Sequence, residues 1–121
     1  MNSRDELLEL AKKALKNSYS PYSRFAVGAA ILCKDGTIYT GCNVENVNGT
    51  SVCAERVAIF KAVSEGKLDF SEIAIVGSGY GPMVPCGFCL QTLAEFCDDI
   101  FIHTPEETYR LRELLPLKFK Y

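Results

Sequence analysis

The chain reads as an α/β fold built on a mixed sheet, and three observations carry that reading. Ile73-Ala74-Ile75-Val76 is a short continuous apolar run of the kind a strand covered on both faces requires. Asp35-Gly36, set between two apolar stretches, predicts an antiparallel hairpin. Beyond the hairpin, strand, helix, strand, helix and strand patterns alternate, which implies parallel crossovers behind it.

Residues 4–17 carry Leu7, Leu8, Ala11, Ala14 and Leu15 at spacings of three and four, an amphipathic helix with Lys12, Lys13 and Lys16 outside and near its C-terminal end. Tyr19-Ser20-Pro21-Tyr22-Ser23 breaks that helix. Phe25 to Cys33 then runs apolar up to Lys34-Asp35-Gly36, and Thr37 to Val44 continues as a second strand. Cys53 to Val63 is apolar nearly all round, interrupted by Glu55, Arg56 and Lys61, so it reads as a central, buried helix that Gly66 stops. A Gly-rich loop, Gly77 to Pro85, follows the apolar strand. Cys86, Cys89, Leu90, Leu93 and Phe96 mark the next helix and Ile100-Phe101-Ile102 the next strand. Two readings stay open near the C-terminus. Thr104-Pro105-Glu106-Glu107 has the form of a capping box that opens a helix, while Thr108 to Arg112 suits a fifth strand before a helical turn at Glu113-Leu114-Leu115.

A length of 121 residues with 48% hydrophobic side chains predicts one domain, residues 1–121, around one core. The charged start Met1-Asn2-Ser3-Arg4-Asp5-Glu6 lacks an apolar leader region, and no apolar stretch has membrane-spanning length, so a soluble, cytoplasmic protein without a membrane partner is expected. The formal charge of -2 and the lack of a long Lys/Arg run argue against nucleic acid as partner. A small, nearly neutral ligand fits better. Six cysteines without a secretory context are expected to be reduced, with Cys33, Cys42 and Cys97 acting as small hydrophobes.

The chemistry is concentrated in Cys53-Ala54-Glu55 and Pro85-Cys86-Gly87-Phe88-Cys89. Three thiols able to hold one Zn2+ leave its fourth position open, and an open zinc site activates water, whereas a filled tetrahedral one is structural. The alternative, a structural four-cysteine site completed by Cys42 or Cys97, leaves Glu55 without a task. Each cysteine pair or singleton opens a helix, where free amides and the dipole favour thiolate. Three thiolates leave about -1 on the site, which opposes activation of water, so a cation must offset it. Arg56, beside Glu55, is the candidate; its plain alternative is a side chain in solvent. Glu55 is then the base that takes the water's proton, and its plain alternative is an acidic residue favoured in a first helical turn. Phe25 could wall a planar ring, and Asn43 and Glu45 could hold sugar hydroxyls; the plain reading of these is a core phenylalanine and a polar loop. His103 lies outside the metal pattern and reads as structural.

C-x-E followed by P-C-x-x-C has the form of the base-deaminase signature, in which the glutamate shuttles protons while water attacks an amidine carbon such as C4 of cytosine. Over residues 19–119 the chain resembles the small cytidine deaminases of the all-cysteine zinc type. The resemblance rests on Tyr-Ser-Pro-Tyr-Ser-Arg-Phe-Ala-Val-Gly-Ala-Ala, Thr-Gly-Cys-Asn-Val-Glu-Asn, Cys-Ala-Glu-Arg, Pro-Cys-Gly-Phe-Cys and Glu-Leu-Leu-Pro. It implies a three-layer fold with a mixed five-stranded sheet and helices on both faces, favouring a strand at 108–112. It also implies Cys53, Cys86 and Cys89 as zinc ligands, Glu55 as proton shuttle, Asn43 and Glu45 on the ribose, the Ala54 amide on the pyrimidine and Phe25 beside the base. A homotetramer is implied as well, with sites at subunit contacts and Phe119 reaching a neighbour's site.

Three features depart from that family's usual pattern: the 47–52 loop is one residue shorter and lacks a tyrosine, Leu90 stands where arginine commonly follows the last cysteine, and Ala26 replaces a common proline. The activity implied is hydrolytic deamination of cytidine and deoxycytidine in pyrimidine salvage. The competing readings are a deaminase of a related aminated nucleoside, nucleoside antibiotic or free base, and a noncatalytic zinc-stabilised interaction domain.

Overall fold

A computed structural model describes residues 2–79 and 83–120. The element order is α1 (Ser3–Leu15), β1 (Val27–Cys33), β2 (Ile38–Cys42), α2 (Ala54–Ser64), β3 (Phe70–Gly77), α3 (Gly87–Phe96), β4 (Phe101–His103), β5 (Thr108–Arg110) and α4 (Leu111–Leu114). The strands form one sheet in the order β2-β1-β3-β4-β5. β1 is antiparallel to both β2 and β3, β3 is parallel to β4, and β4 is antiparallel to β5. The sheet is therefore mixed and five-stranded, as expected.

Side-chain alternation along β1 and β3 divides the core in two. Ala30 and Ala74 meet Leu7 and Ala11 of α1, while Ala29, Ile31, Ile73 and Ile75 meet Ala58, Ile59 and Leu93 from α2 and α3. That places a helix layer on each face. Central β3 is apolar on both sides because both sides are covered. Two glycines allow the layers to approach closely. A Cβ at Gly28 would lie 1.9 Å from the Ala11 carbonyl of α1, and one at Gly41 would lie 2.6 Å from the Ala58 nitrogen of α2.

Local chemistry sets the element ends. Asn2 Oδ1 accepts from the Asp5 amide and caps α1, whose first turn holds Asp5 and Glu6 and whose last holds Lys12 and Lys13. The Asp35-Gly36 hairpin forms, with Gly36 at φ 94° and Asp35 Oδ1 accepting from the Thr37 amide. Gly66, at φ 84°, ends α2 with its amide on the Val63 carbonyl and that of Lys67 on the Ala62 carbonyl, a Schellman arrangement.

Some expectations change. Helix α2 is not buried all round: Phe60, Lys61 and Ser64 are exposed, because no layer of this chain covers its outer side. Thr104 opens no helix. Its hydroxyl bonds both the amide and the carbonyl of Glu107, which closes the turn into β5. The strand reading thus holds for Thr108–Arg110, and α4 follows, its start held by the Arg110 amide on Glu113 Oε1. Of the Gly-rich loop 77–85, residues 80–82 lie outside the described residues. His103 is buried, with Nε2 on Glu72 Oε1 at 2.7 Å and Nδ1 on Thr108 Oγ1 at 2.9 Å, a structural link between β3, β4 and β5. Among the described residues, no helix is long and apolar enough to cross a membrane.

Candidate active site

Two helix starts converge on one point. Cys53 precedes the first residue of α2 and Cys86 that of α3, while Cys89 lies in the first turn of α3. Neither Cys53 nor Cys86 uses its side chain to cap its helix, which leaves the sulfurs available. The Cys53 and Cys86 sulfurs lie 3.7 Å apart, those of Cys86 and Cys89 3.6 Å apart, and all three fall within 4.8 Å of one another. Tetrahedral zinc with bonds of about 2.3 Å to sulfur sets its sulfurs about 3.8 Å apart, so the trio suits that ion. Among the described residues, neither Cys42 nor Cys97 joins the cluster.

The thiols are unequal even without metal. The neighbouring Cys89 thiol foremost, with Arg56 and Cys86, holds Cys53 down to about 5 against the effect of burial. Cys89 moves the opposite way, raised first by the Cys53 sulfur beside it and then by burial. Of these two, Cys53 is the one that ionises first. Ionising all three so close together needs a cation among them.

Glu55 is 3% exposed on the next residue but one from Cys53. Burial, helped by the charge on Cys53, lifts its carboxyl to about 7, against the opposing pull of its own backbone amide and the Cys89 thiol. A carboxyl that gains and loses its proton near neutral pH suits general acid–base work. Arg56 turns inward: Nη2 lies 3.6 Å from Cys53 Sγ, and the guanidinium sits over the Phe88 ring with Cζ 5.6 Å from its centroid. Leu90 is buried in the core between the two helices and the sheet, so its position brings no second cation to the thiols.

Next to the end of β3, residues 18–26 form a strap tied down by side chains. Asn43 Oδ1 accepts from Ser18 Oγ at 2.5 Å and the Val27 amide at 3.0 Å, and its Nδ2 donates to the Phe25 carbonyl at 2.8 Å. Glu45 Oε1 accepts from the amides of Tyr22 and Ser23 at 3.0 and 3.1 Å, and Oε2 from Ser23 Oγ at 2.5 Å. These bonds, the Ser23 hydroxyl foremost, hold the Glu45 carboxyl below its ordinary range. The Phe25 ring is seated on glycines; a Cβ at Gly79 would lie 2.5 Å from it and one at Gly77 2.9 Å.

Arg24 within the strap has a left-handed φ of 57°, a conformation costing roughly 1 kcal/mol in a residue with a side chain. Ala26 donates its amide to Ser78 Oγ at 2.9 Å, a bond that proline could not make. Sequence reading missed Ser18, Ser23 and Ser78, whose partners Asn43, Glu45 and Ala26 lie 25, 22 and 52 residues away in the chain, so no local signal marked them. The short 47–52 loop is closed by Asn48 Oδ1 on Thr50 and by the Val44–Val52 bridge. Ala54 is fully buried at the head of α2, where its amide is one of the first-turn donors for which a helix has no acceptor. Phe119 is 70% exposed and bonds Gln91 of α3 through both its amide and its carbonyl.

Residues 1–104 match the family model of the cytidine and deoxycytidylate deaminase zinc-binding region. A cytidine deaminase of Sporosarcina psychrophila is 52% identical over 95 residues, 78% of this chain and 70% of that one. A blasticidin-S deaminase of Bacillus cereus is 33% identical over an aligned length of 127, covering 94% of this chain and 90% of the relative. The crystal structure of cytidine deaminase from Mycobacterium tuberculosis is similar with a TM-score of 0.91 at 39% identity, covering 100% of both chains. With residues 1–104 matched by that family model and relatives at 33–52% identity over most of its length, the chain belongs to the zinc-dependent cytidine and deoxycytidylate deaminase family.

Proposed function

We propose that the chain deaminates cytidine and deoxycytidine by hydrolysis, giving uridine or deoxyuridine and ammonia, as a cytoplasmic step of pyrimidine salvage. The observation that carries this is a buried carboxyl, Glu55, on the same helix start as one of three thiols spaced for a single zinc ion. Cys53, Cys86 and Cys89 are the ligands. Zinc bound by them supplies Lewis acidity that lowers the pKa of water towards neutrality. Glu55 accepts a proton from the attacking water and delivers it to ring N3; it then takes the second proton, from the hydroxyl newly formed on the ring carbon, and passes it to the amine, which departs as ammonia. Arg56, 3.6 Å from Cys53, offsets the thiolate charge. With Leu90 apolar, it is the compensating side chain on this reading.

The Ala54 amide faces the pyrimidine, Phe25 lies beside it, and Asn43 and Glu45 receive the sugar. Support for the last pair comes from their inventory. Asn43 keeps one Nδ2 proton unspent and Glu45 about one lone-pair site, a donor and an acceptor for hydroxyls. Four copies assemble with Phe119 at a neighbour's site. Phe60 and Phe88, both exposed in the single chain, favour such burial.

Incubating the purified, zinc-loaded chain with cytidine, deoxycytidine, cytosine and adenosine while following ammonia is the decisive assay. Turnover of the first two is expected, and its absence overturns the reading. A second reading, deamination of a nucleoside antibiotic, is favoured by the likeness to a blasticidin-S deaminase and is tested by adding that compound to the panel. Light scattering on the same sample gives four chains per particle if the assembly is as proposed.

A further inference from the structure

We propose that Ser23 is a positioning residue for the substrate's sugar, acting through Glu45; the inference rests on the assignment of Glu45 to the sugar hydroxyls. Ser23 Oγ has one proton, and it goes to Glu45 Oε2 at 2.5 Å. The same oxygen accepts from the Phe25 amide at 3.1 Å. One hydroxyl therefore joins the residue beside the base to the residue on the sugar. Among the described residues, Ser23 alone has a side chain bonded to both.

The rest of the turn is arranged to hold that hydroxyl in place. Arg24 adopts its left-handed φ of 57°, and its amide closes the turn on the Ser20 carbonyl at 2.9 Å. Phe25 is gripped from the other side by Asn43 Nδ2 on its carbonyl. On Glu45, Oε1 is filled by the amides of Tyr22 and Ser23, so the acceptor position left for a ligand lies on Oε2, the oxygen that Ser23 orients. Without the hydroxyl, Oε2 loses its anchor, whereas Phe25 stays held through its carbonyl by Asn43 Nδ2. The ligating cysteines and Glu55 are not part of this network, so the loss falls on binding rather than on the chemical step.

The test compares Ser23→Ala, Ser23→Thr and Glu45→Ala with the unsubstituted zinc-loaded chain, using cytidine and 2′,3′-dideoxycytidine, the latter as substrate or, by its inhibition constant, as competitor. Ser23 is exposed, so neither of its substitutions disturbs the core. Ser23→Ala is expected to raise KM for cytidine about tenfold with kcat within twofold, and to leave the dideoxy compound within twofold. Ser23→Thr, which keeps the hydroxyl, restores KM. Equal losses on both compounds, or a loss that threonine does not restore, overturn the role of Ser23. So does an unchanged Ser23→Ala beside a Glu45→Ala that no longer favours cytidine. A Glu45→Ala variant with undiminished preference for cytidine removes the sugar assignment itself, and no turnover by the unsubstituted chain removes the deaminase reading.

Discussion

Glu55 and Ser23 are both hydrogen-bonding groups of the proposed site, yet the sequence exposes one and hides the other. Glu55 stands two residues from a cysteine and two helix starts carry the three thiols, so a linear pattern reports their meeting. Ser23 acquires its role only because the chain folds Glu45 back against it, a contact between residues 22 apart. The same holds for Ser18 with Asn43 and for Ser78 with Ala26, whose amide explains why alanine serves where the resembling family commonly has proline. At this scale the sharpest expectation concerns Glu55. Replacing it with glutamine keeps size and hydrogen bonding but removes the carboxyl that the proposed proton shuttle requires, and should lower kcat by about 10²- to 10⁴-fold while zinc content stays at one per chain. Retained turnover, or lost metal, would assign Glu55 to structure instead.

Among the elements, α2 does two jobs: it fills one face of the sheet and carries Cys53, Glu55 and Arg56. Its seat on β2 depends on Gly41, since a methyl group there would stand 2.6 and 2.7 Å from the Ala58 nitrogen and the Ala54 carbonyl, both rigid backbone. Gly41→Ala should therefore push α2 outward, costing about 1–3 kcal/mol of stability and weakening zinc binding as Cys53 moves from Cys86. Thermal melts and a zinc competition titration measure the two effects together; an unshifted midpoint with unchanged affinity would show that the helix has room to adjust. Most element identities were legible in the sequence, because periods of two and 3.6 report which faces are covered. The stretch 104–112 was not. Thr104 followed by glutamate suits either a helix start or a turn, and the choice went to the turn because β4 offers Phe101, Ile102 and His103 as strand partners for residues 108–110.

Over the whole molecule, metal and fold support each other. Zinc binds three thiols from two helices that contribute to one core, so its removal should loosen the junction of α2 and α3. At free zinc about 1,000 times Kd, binding contributes about 4 kcal/mol, roughly 15 °C in melting midpoint for a chain of this size. Calorimetry with and without a chelator checks this, and thiol titration gives an independent readout. Chelation should release Cys53 as the fastest-reacting thiol, since it is held near 5, while Cys97, raised to about 11 by burial, stays slow at neutral pH. An unaltered midpoint would mean that zinc does not bind the folded chain in preference to the unfolded one. The sequence by itself determined the layers, the metal and the reaction class, because these depend on periodicity and on ligands spaced along two helix starts. Tertiary structure decided which side chains hold Asn43 and Glu45, that Arg56 faces the thiols rather than solvent, and how residues 104–112 resolve. Each of those depends on hydrogen bonds and packing between segments far apart in the chain, whose partners no local pattern names.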